Sequence, residues 1–229
     1  MLREACLAIA CLMPLAAFAG RPLSTEDADT LDDKACQVEA WVDRSSVETQ
    51  GWMVPACNFG LGIEWQLGFS RSWSDGSSRF PEAYVQGKSA WGTLRDGGWS
   101  VGVVGGVVRR TEEGTGWENP YALGILSWAV GESPTHFHAN LGWTRNKLEA
   151  RNSTLWGIAV ERPVSTAFTV LAESFGDDRG NPFFRVGGRY AAIKDRLDFD
   201  LSFVTRSGGN KSDRFVSLGL HAQADRILR

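Results

Sequence analysis

The stretch Leu61-Gly62-Ile63-Glu64-Trp65-Gln66-Leu67-Gly68-Phe69-Ser70-Arg71-Ser72-Trp73 decides the fold. Leu61, Ile63, Trp65, Leu67 and Phe69 occupy alternate positions, with Trp73 further along the same face. Gly62, Glu64, Gln66, Gly68, Ser70 and Ser72 fill the positions between. Side chains of a strand alternate between two faces, whereas helical spacing would scatter these residues around an axis. The stretch is therefore read as a β-strand with one apolar and one polar face.

The same alternation recurs along the chain. Phe137, Ala139, Leu141 and Trp143 oppose His136, His138, Asn140 and Thr144. Phe184, Val186 and Tyr190 oppose Arg185 and Arg189, and Leu197, Phe199, Leu201 and Phe203 oppose Asp198, Asp200 and Ser202. Val216, Leu218 and Leu220 oppose Ser217, His221 and Gln223. About twelve such segments run near 35–44, 50–58, 61–73, 82–93, 98–110, 120–131, 136–145, 154–162, 165–174, 183–192, 196–206 and 214–223. Ordinary globular strands have about 5–6 residues. These segments are closer to the roughly 9–11 that a tilted strand needs to cross a bilayer.

Long polar connections at 44–49, 74–81, 111–119, 146–153, 176–182 and 207–213 alternate with short turns near 59–60, 95–98, 132–134, 162–164 and 194–195. Such alternation is what an up-and-down barrel with long outer loops and short periplasmic turns shows. Aromatics stand near both ends of the apolar face: Trp73, Trp143 and Trp156 toward the long loops, and Trp91, Trp99, Phe137 and Phe168 toward the short turns. Two aromatic belts match the two interfaces of a bilayer. The expected fold is thus all-β, a transmembrane up-and-down antiparallel barrel of about 12 strands over residues 35–224, followed by a tail at 225–229. An even strand number puts both termini on the periplasmic side. Val101, Val103, Val104, Val107, Val108, Leu123, Ile125, Leu126 and Trp128 are apolar at both phases, which predicts a partly apolar lumen.

Residues 1–19 read as a secretory signal peptide: Arg3, an apolar run from Ala5 to Phe18, then the small-residue pattern Ala17-Phe18-Ala19. Export places the chain outside the cytoplasm, in the bacterial outer membrane on the barrel reading, and removes Cys6 and Cys11. Cys36 and Cys57 remain, and an even pair in an oxidising compartment suggests a disulfide, the alternative being two free buried thiols. The topology brings them to the same end of adjacent strands. Residues 20–34 form an irregular acidic periplasmic segment, a candidate plug. The net charge of −3 gives no basic field for nucleic acid.

The opening Arg21-Pro22-Leu23-Ser24-Thr25-Glu26-Asp27-Ala28, followed by the strand Cys36-Gln37-Val38-Glu39, resembles the outer-membrane barrel family named for the meta-pathway of phenol degradation. Lys88 and Glu173 sit in surroundings similar to that family's. The resemblance implies a channel or transporter for small, often hydrophobic or aromatic compounds. It also implies the outer-membrane bilayer, the barrel-insertion machinery and a small-molecule solute as partners. Outer-membrane barrels usually end on an aromatic read by that machinery, whereas this chain ends Asp225-Arg226-Ile227-Leu228-Arg229.

The inward face collects the candidate lumen and selectivity residues Glu64, Gln66, Lys88, His136, His138, Glu161, Glu173, Arg185, Arg189, Asp198, Asp200 and His221. Buried charges must be paired, so a bracing salt-bridge network competes with a solute-selecting lining. His136 and His138 share a face at a spacing that metal sites use, but no dense ligand cluster accompanies them, and neither a metal nor a cofactor is expected. His136-Phe137-His138-Ala139-Asn140 lacks the serine of an outer-membrane lipid hydrolase, and no Gly-x-Ser-x-Gly elbow occurs, so no catalytic residues are assigned. The alternatives to a channel are a structural or adhesive barrel, a lipid hydrolase, and a soluble periplasmic ligand-binding β-protein.

Overall fold

The computed structural model describes residues 22–74, 76–92, 98–111, 116–131 and 134–228. The leader read over residues 1–19 lies outside the described residues. Among those described, thirteen strands form one antiparallel sheet: β1 (Cys36–Ser45), β2 (Thr49–Asn58), β3 (Glu64–Ser74), β4 (Ser77–Arg79), β5 (Glu82–Gly92), β6 (Trp99–Arg110), β7 (Asn119–Ala129), β8 (His136–Asn146), β9 (Arg151–Pro163), β10 (Phe168–Asp177), β11 (Phe183–Ile193), β12 (Leu197–Arg206) and β13 (Phe215–Ala224). Each long strand pairs with its sequence neighbours, and β1 closes on β13 from Cys36↔Ala224 to Ser45↔Phe215. The result is a closed barrel of twelve long strands, with β4 a three-residue strand folded back on the end of β3.

Burial along each strand shows which face is which. On β3, Trp65, Leu67 and Phe69 are 44–49% exposed, while Glu64, Gln66, Ser70 and Ser72 are at most 6% exposed. Leu141, Ile158, Val186, Leu201 and Leu218 are likewise turned outward. Large apolar side chains thus cover the outside and polar ones are buried, the reverse of a water-soluble protein. A soluble β-protein would need its apolar faces inward, and that arrangement is not the observed one. The stacked pair Trp128 and Phe137 joins Trp91, Trp99 and Phe168 on the outer surface toward the short-turn end.

The lumen is mostly polar, with small buried apolar groups at Ala159 and Leu171 and at Phe175, Phe183 and Val204, and a larger one beside β2 and β5–β7. There Trp52, Val54, Tyr84, Val104, Val108, Tyr121, Leu123 and Ile125 form a buried apolar cluster, so the doubly apolar strands do line their side of the lumen with hydrophobic groups. Two inward glycines make this packing feasible. A Cβ on Gly68 would lie 1.8 Å from the Tyr84 ring, and one on Gly106 would lie 2.6 Å from the Tyr121 hydroxyl. Each tyrosine ring occupies the space a side chain would otherwise fill. Cys36 and Cys57 face each other across β1 and β2 with Cα atoms 4.1 Å apart and are joined by a disulfide.

Several boundaries differ from the sequence reading. β3 begins at Glu64, not Leu61, because Gly60 and Gly62 take left-handed φ values of +82° and +68° and turn the chain. The expected long connection over 146–153 is a tight turn: Asn146 accepts the Glu149 amide on its side-chain oxygen, and β9 already starts at Arg151. β10 runs Phe168–Asp177 rather than from 165, since the Val164 and Ser165 amides both donate to the Phe168 carbonyl and close a turn. All three differences concern strand tips, where glycine conformation or local hydrogen bonds override the alternation.

If the outward face lies in hydrocarbon, arginine at Leu201, 56% exposed at mid-strand, should cost about 2–4 kcal/mol on refolding into lipid vesicles, measured by urea titration. A cost within about 0.5 kcal/mol, ordinary for a water-exposed surface site, would contradict that placement.

Candidate functional site

The site is the lumen, and its main occupant is the chain's own residues 22–35. This segment is irregular, yet Pro22, Leu23, Ser24, Thr25, Glu26, Ala28, Leu31 and Ala35 are buried. Buried backbone must find hydrogen-bond partners, and a segment outside the sheet has no strand to supply them. Here lumen side chains supply them. Glu173 on β10 accepts the Ser24 amide at 2.8 Å, the Thr25 amide at 2.8 Å and the Thr25 hydroxyl at 2.8 Å. Asn140 on β8 accepts the Glu26 amide at 2.6 Å and donates to the Glu26 carbonyl at 2.8 Å, replacing a strand partner with one amide side chain.

The pattern continues toward β1. Ser127 on β7 accepts the Ala28 amide, and Ser100 on β6 donates to the Ala28 carbonyl, both at 2.8 Å. Glu64 on β3 accepts the Leu31 amide at 2.9 Å, and Asn58 on β2 donates to the Leu31 carbonyl at 2.8 Å. Lys34, with φ +67°, then donates its amide to the Asn58 carbonyl and turns the chain into β1. Gly157 completes the cradle, since a Cβ there would meet the Thr25 hydroxyl at 2.6 Å.

Charge follows the same route. Lys88 on β5, 4% exposed, places its ammonium 3.3 Å from Glu26 and 3.0 Å from Asp27. Glu26 also accepts from Gln86 at 3.3 Å. Gln86 donates to Gln66, Gln66 donates to Glu64 at 2.7 Å, and the Tyr121 hydroxyl donates to Gln86. Arg185 on β11 backs Glu173 at 3.3 Å, with its guanidinium over the Phe175 ring. Ser127, accepting from Ala28, also shares a hydrogen bond with His138 Nδ1, 2.8 Å away. His138 Nε2 faces Glu161 at 3.8 Å.

All twelve sequence-designated residues lie on the lumen face, but they form two groups. Glu64, Lys88 and Glu173 contact segment 22–35 directly, while Gln66, His138 and Arg185 stand behind those contacts. On the same wall, either side of β10, Arg189 on β11 pairs with Glu161 on β9. His221 on β13 lies 3.2 Å from Asp198 on β12 and 3.1 Å from Gln37 on β1. Asp200 is in register with Arg189, and His136 is in register with Glu161. His136 and His138 both face the lumen, and Ser127 engages Nδ1 of His138. No group of three or more histidines, cysteines or acids placed for a metal occurs among the described residues.

The sequence reading left Ser100, Ser127, Asn58, Gln86 and Gly157 out of the site. Small polar residues and glycines at inward positions look like generic lumen, and their partners lie far away in sequence. The retrievable signal was positional: each sits on the polar phase of its strand.

Residues 7–222 match the family model described as "Uncharacterised conserved protein UCP029691". The chain belongs to that family. The matching model does not carry the phenol-degradation name that the opening motif resembles. No curated protein matches the sequence. Among solved structures, the fold is similar to "KdgM porin" with a TM-score of 0.61 at 8% identity, over 81% of this chain and 98% of that one. It is similar to the NanC porin with a TM-score of 0.57 at 12% identity, over 84% and 100%. These likenesses establish a porin-type barrel fold.

Replacing Lys88 with methionine would leave Glu26 buried without its cation, a change worth about 3–5 kcal/mol. Amide exchange over Ser24–Leu31 should then speed up by well over tenfold while the barrel keeps its heat-dependent gel mobility. Unchanged exchange would show that the ion pair does not hold the segment.

Proposed function

We propose that the protein is an outer-membrane channel for small solutes whose lumen is narrowed by its own N-terminal segment. The observation that supports this most directly is a closed barrel, apolar outside, with residues 22–35 hydrogen-bonded across its interior. On this reading the leader at 1–19 exports the chain, the insertion machinery places it with the long loops outward, and segment 20–34 acts as a plug.

The two groups of lumen residues then have different roles. Glu64, Lys88 and Glu173, with Gln66, His138 and Arg185 behind them, grip the plug. Glu161, Arg189, Asp198, Asp200, His136 and His221 line the remaining passage and select what crosses. The resemblance of the opening motif favours small hydrophobic or aromatic solutes, and the apolar wall around Tyr84 and Ile125 is compatible with them.

A second reading, a structural barrel without transport, is favoured by one observation: apolar packing and the segment together fill much of the lumen beside β2–β8. Single-channel recording in planar bilayers separates the two. A channel should give small unitary currents that rise severalfold when residues 22–34 are deleted, and its ion selectivity should shift on Arg189→Ala. A barrel that passes no current with or without the segment would be structural.

A further inference from the structure

The outward face carries almost no charge. Among the described residues, the outward positions of the long strands hold five charged side chains, and all are arginine: Arg44 on β1, Arg71 on β3, Arg109 on β6, Arg145 on β8 and Arg162 on β9. Four of them, Arg44, Arg71, Arg109 and Arg145, stand at the long-loop end, and Arg162 alone stands at the other.

The four are grouped in two pairs. Arg44 is opposite Thr49 and Arg71 is opposite Gly51, so this pair flanks β2. Arg109 is the next outward position beyond Val107, and Arg145 the next beyond Trp143. Those residues pair with Pro120 and Ala122 of β7, so the second pair flanks β7. Neighbouring strands are about 4.8 Å apart, which sets the members of each pair about 10 Å apart laterally.

Among the described residues, none of these four arginines forms an ion pair with a carboxylate. Arg44 donates to the Thr49 hydroxyl at 2.7 Å and Arg145 to the Asn152 side chain at 3.3 Å. Arg71 donates to Ser78 at 3.0 Å and lies over the Trp73 and Phe80 rings at 5.7 and 5.0 Å. The Nε of Arg109 is buried with no acceptor. Guanidinium groups match phosphate bidentately, and at an apolar–polar boundary they are weakly hydrated compared with ammonium.

We propose that this rim binds phosphate-bearing lipid headgroups of the leaflet on the long-loop side, with Arg44 and Arg71 forming one seat and Arg109 and Arg145 another. This rests on the reading of the barrel as membrane-embedded. The occupant is a phosphorylated glycolipid: its phosphates complement the unpaired arginines, its acyl chains lie on Val107, Leu141 and Phe69, and Trp73, Phe80 and Trp143 offer flat faces to its sugars.

The test uses the full chain in a neutral detergent, with diphosphoryl lipid A and its phosphate-free counterpart as probes and native mass spectrometry as the readout. The folded protein should retain the phosphorylated lipid at least about tenfold better. R71Q/R109Q should lose that preference, and R162Q should keep it. Should R71Q/R109Q lose its heat-dependent gel shift, R44Q and R145Q serve in its place. Equal retention of the two lipids by the unaltered chain, or an undiminished preference in the folded variants, overturns the seats. A chain that inserts into vesicles but shows no preference defeats the seats alone. A chain that does not insert defeats the membrane reading and the seats together.

Discussion

A backbone amide or carbonyl cannot be left unpaired in hydrocarbon, and this requirement shapes the whole molecule. Hydrocarbon offers no hydrogen bond in return, so a sheet with a free edge is not viable there. The pairing of β1 with β13, ten residues on each side, removes that edge. Once the sheet is closed, the alternation of side chains gives one face to the exterior and one to the lumen. The inverted burial of β3 follows directly from this.

The same requirement appears a second time inside the barrel. Residues 22–35 are buried but irregular, so the ladder that satisfies a strand is not available to them. Glu173, Asn140, Ser127, Ser100, Glu64 and Asn58 each take up one or more of the segment's backbone groups. The polar side of the lumen is therefore specific, with acceptors where amides point and donors where carbonyls point. The acidic residues of the segment extend this to charge, because Glu26 and Asp27 converge on Lys88. Removing a single partner leaves a buried charge or an orphaned amide, so these residues are constrained by the segment before any solute is considered.

Much of this was legible in the chain itself. Alternation across Leu61–Trp73 and its repeats located the twelve long strands to within a few residues, because burying one face fixes the phase of every strand. The polar phase carries Glu64, Lys88, Glu173, Arg185 and the other designated residues on the face that turns inward. The tips were less legible: β4, the 147–150 turn and the true start of β10 depend on local hydrogen bonds, not on periodicity. The division of the lumen residues into those that hold segment 22–35 and those that pair among themselves was not legible at all. Lys88 and Glu26 are separated by 62 residues and Ser24 and Glu173 by 149, and no local pattern records such a pairing.

By itself, then, the sequence determined which side chains face out and which face in, since alternation is a local property of an extended chain. It also determined that Cys36 and Cys57 could meet, since two adjacent antiparallel strands bring their ends together. Only the tertiary structure decided how far residues 22–35 reach into the lumen and which side chains receive them. The register of neighbouring strands grouped the outward arginines into two pairs around β2 and β7. The path of segment 22–35, by contrast, depends on how strands distant in sequence come to face one interior, which no single strand pair encodes.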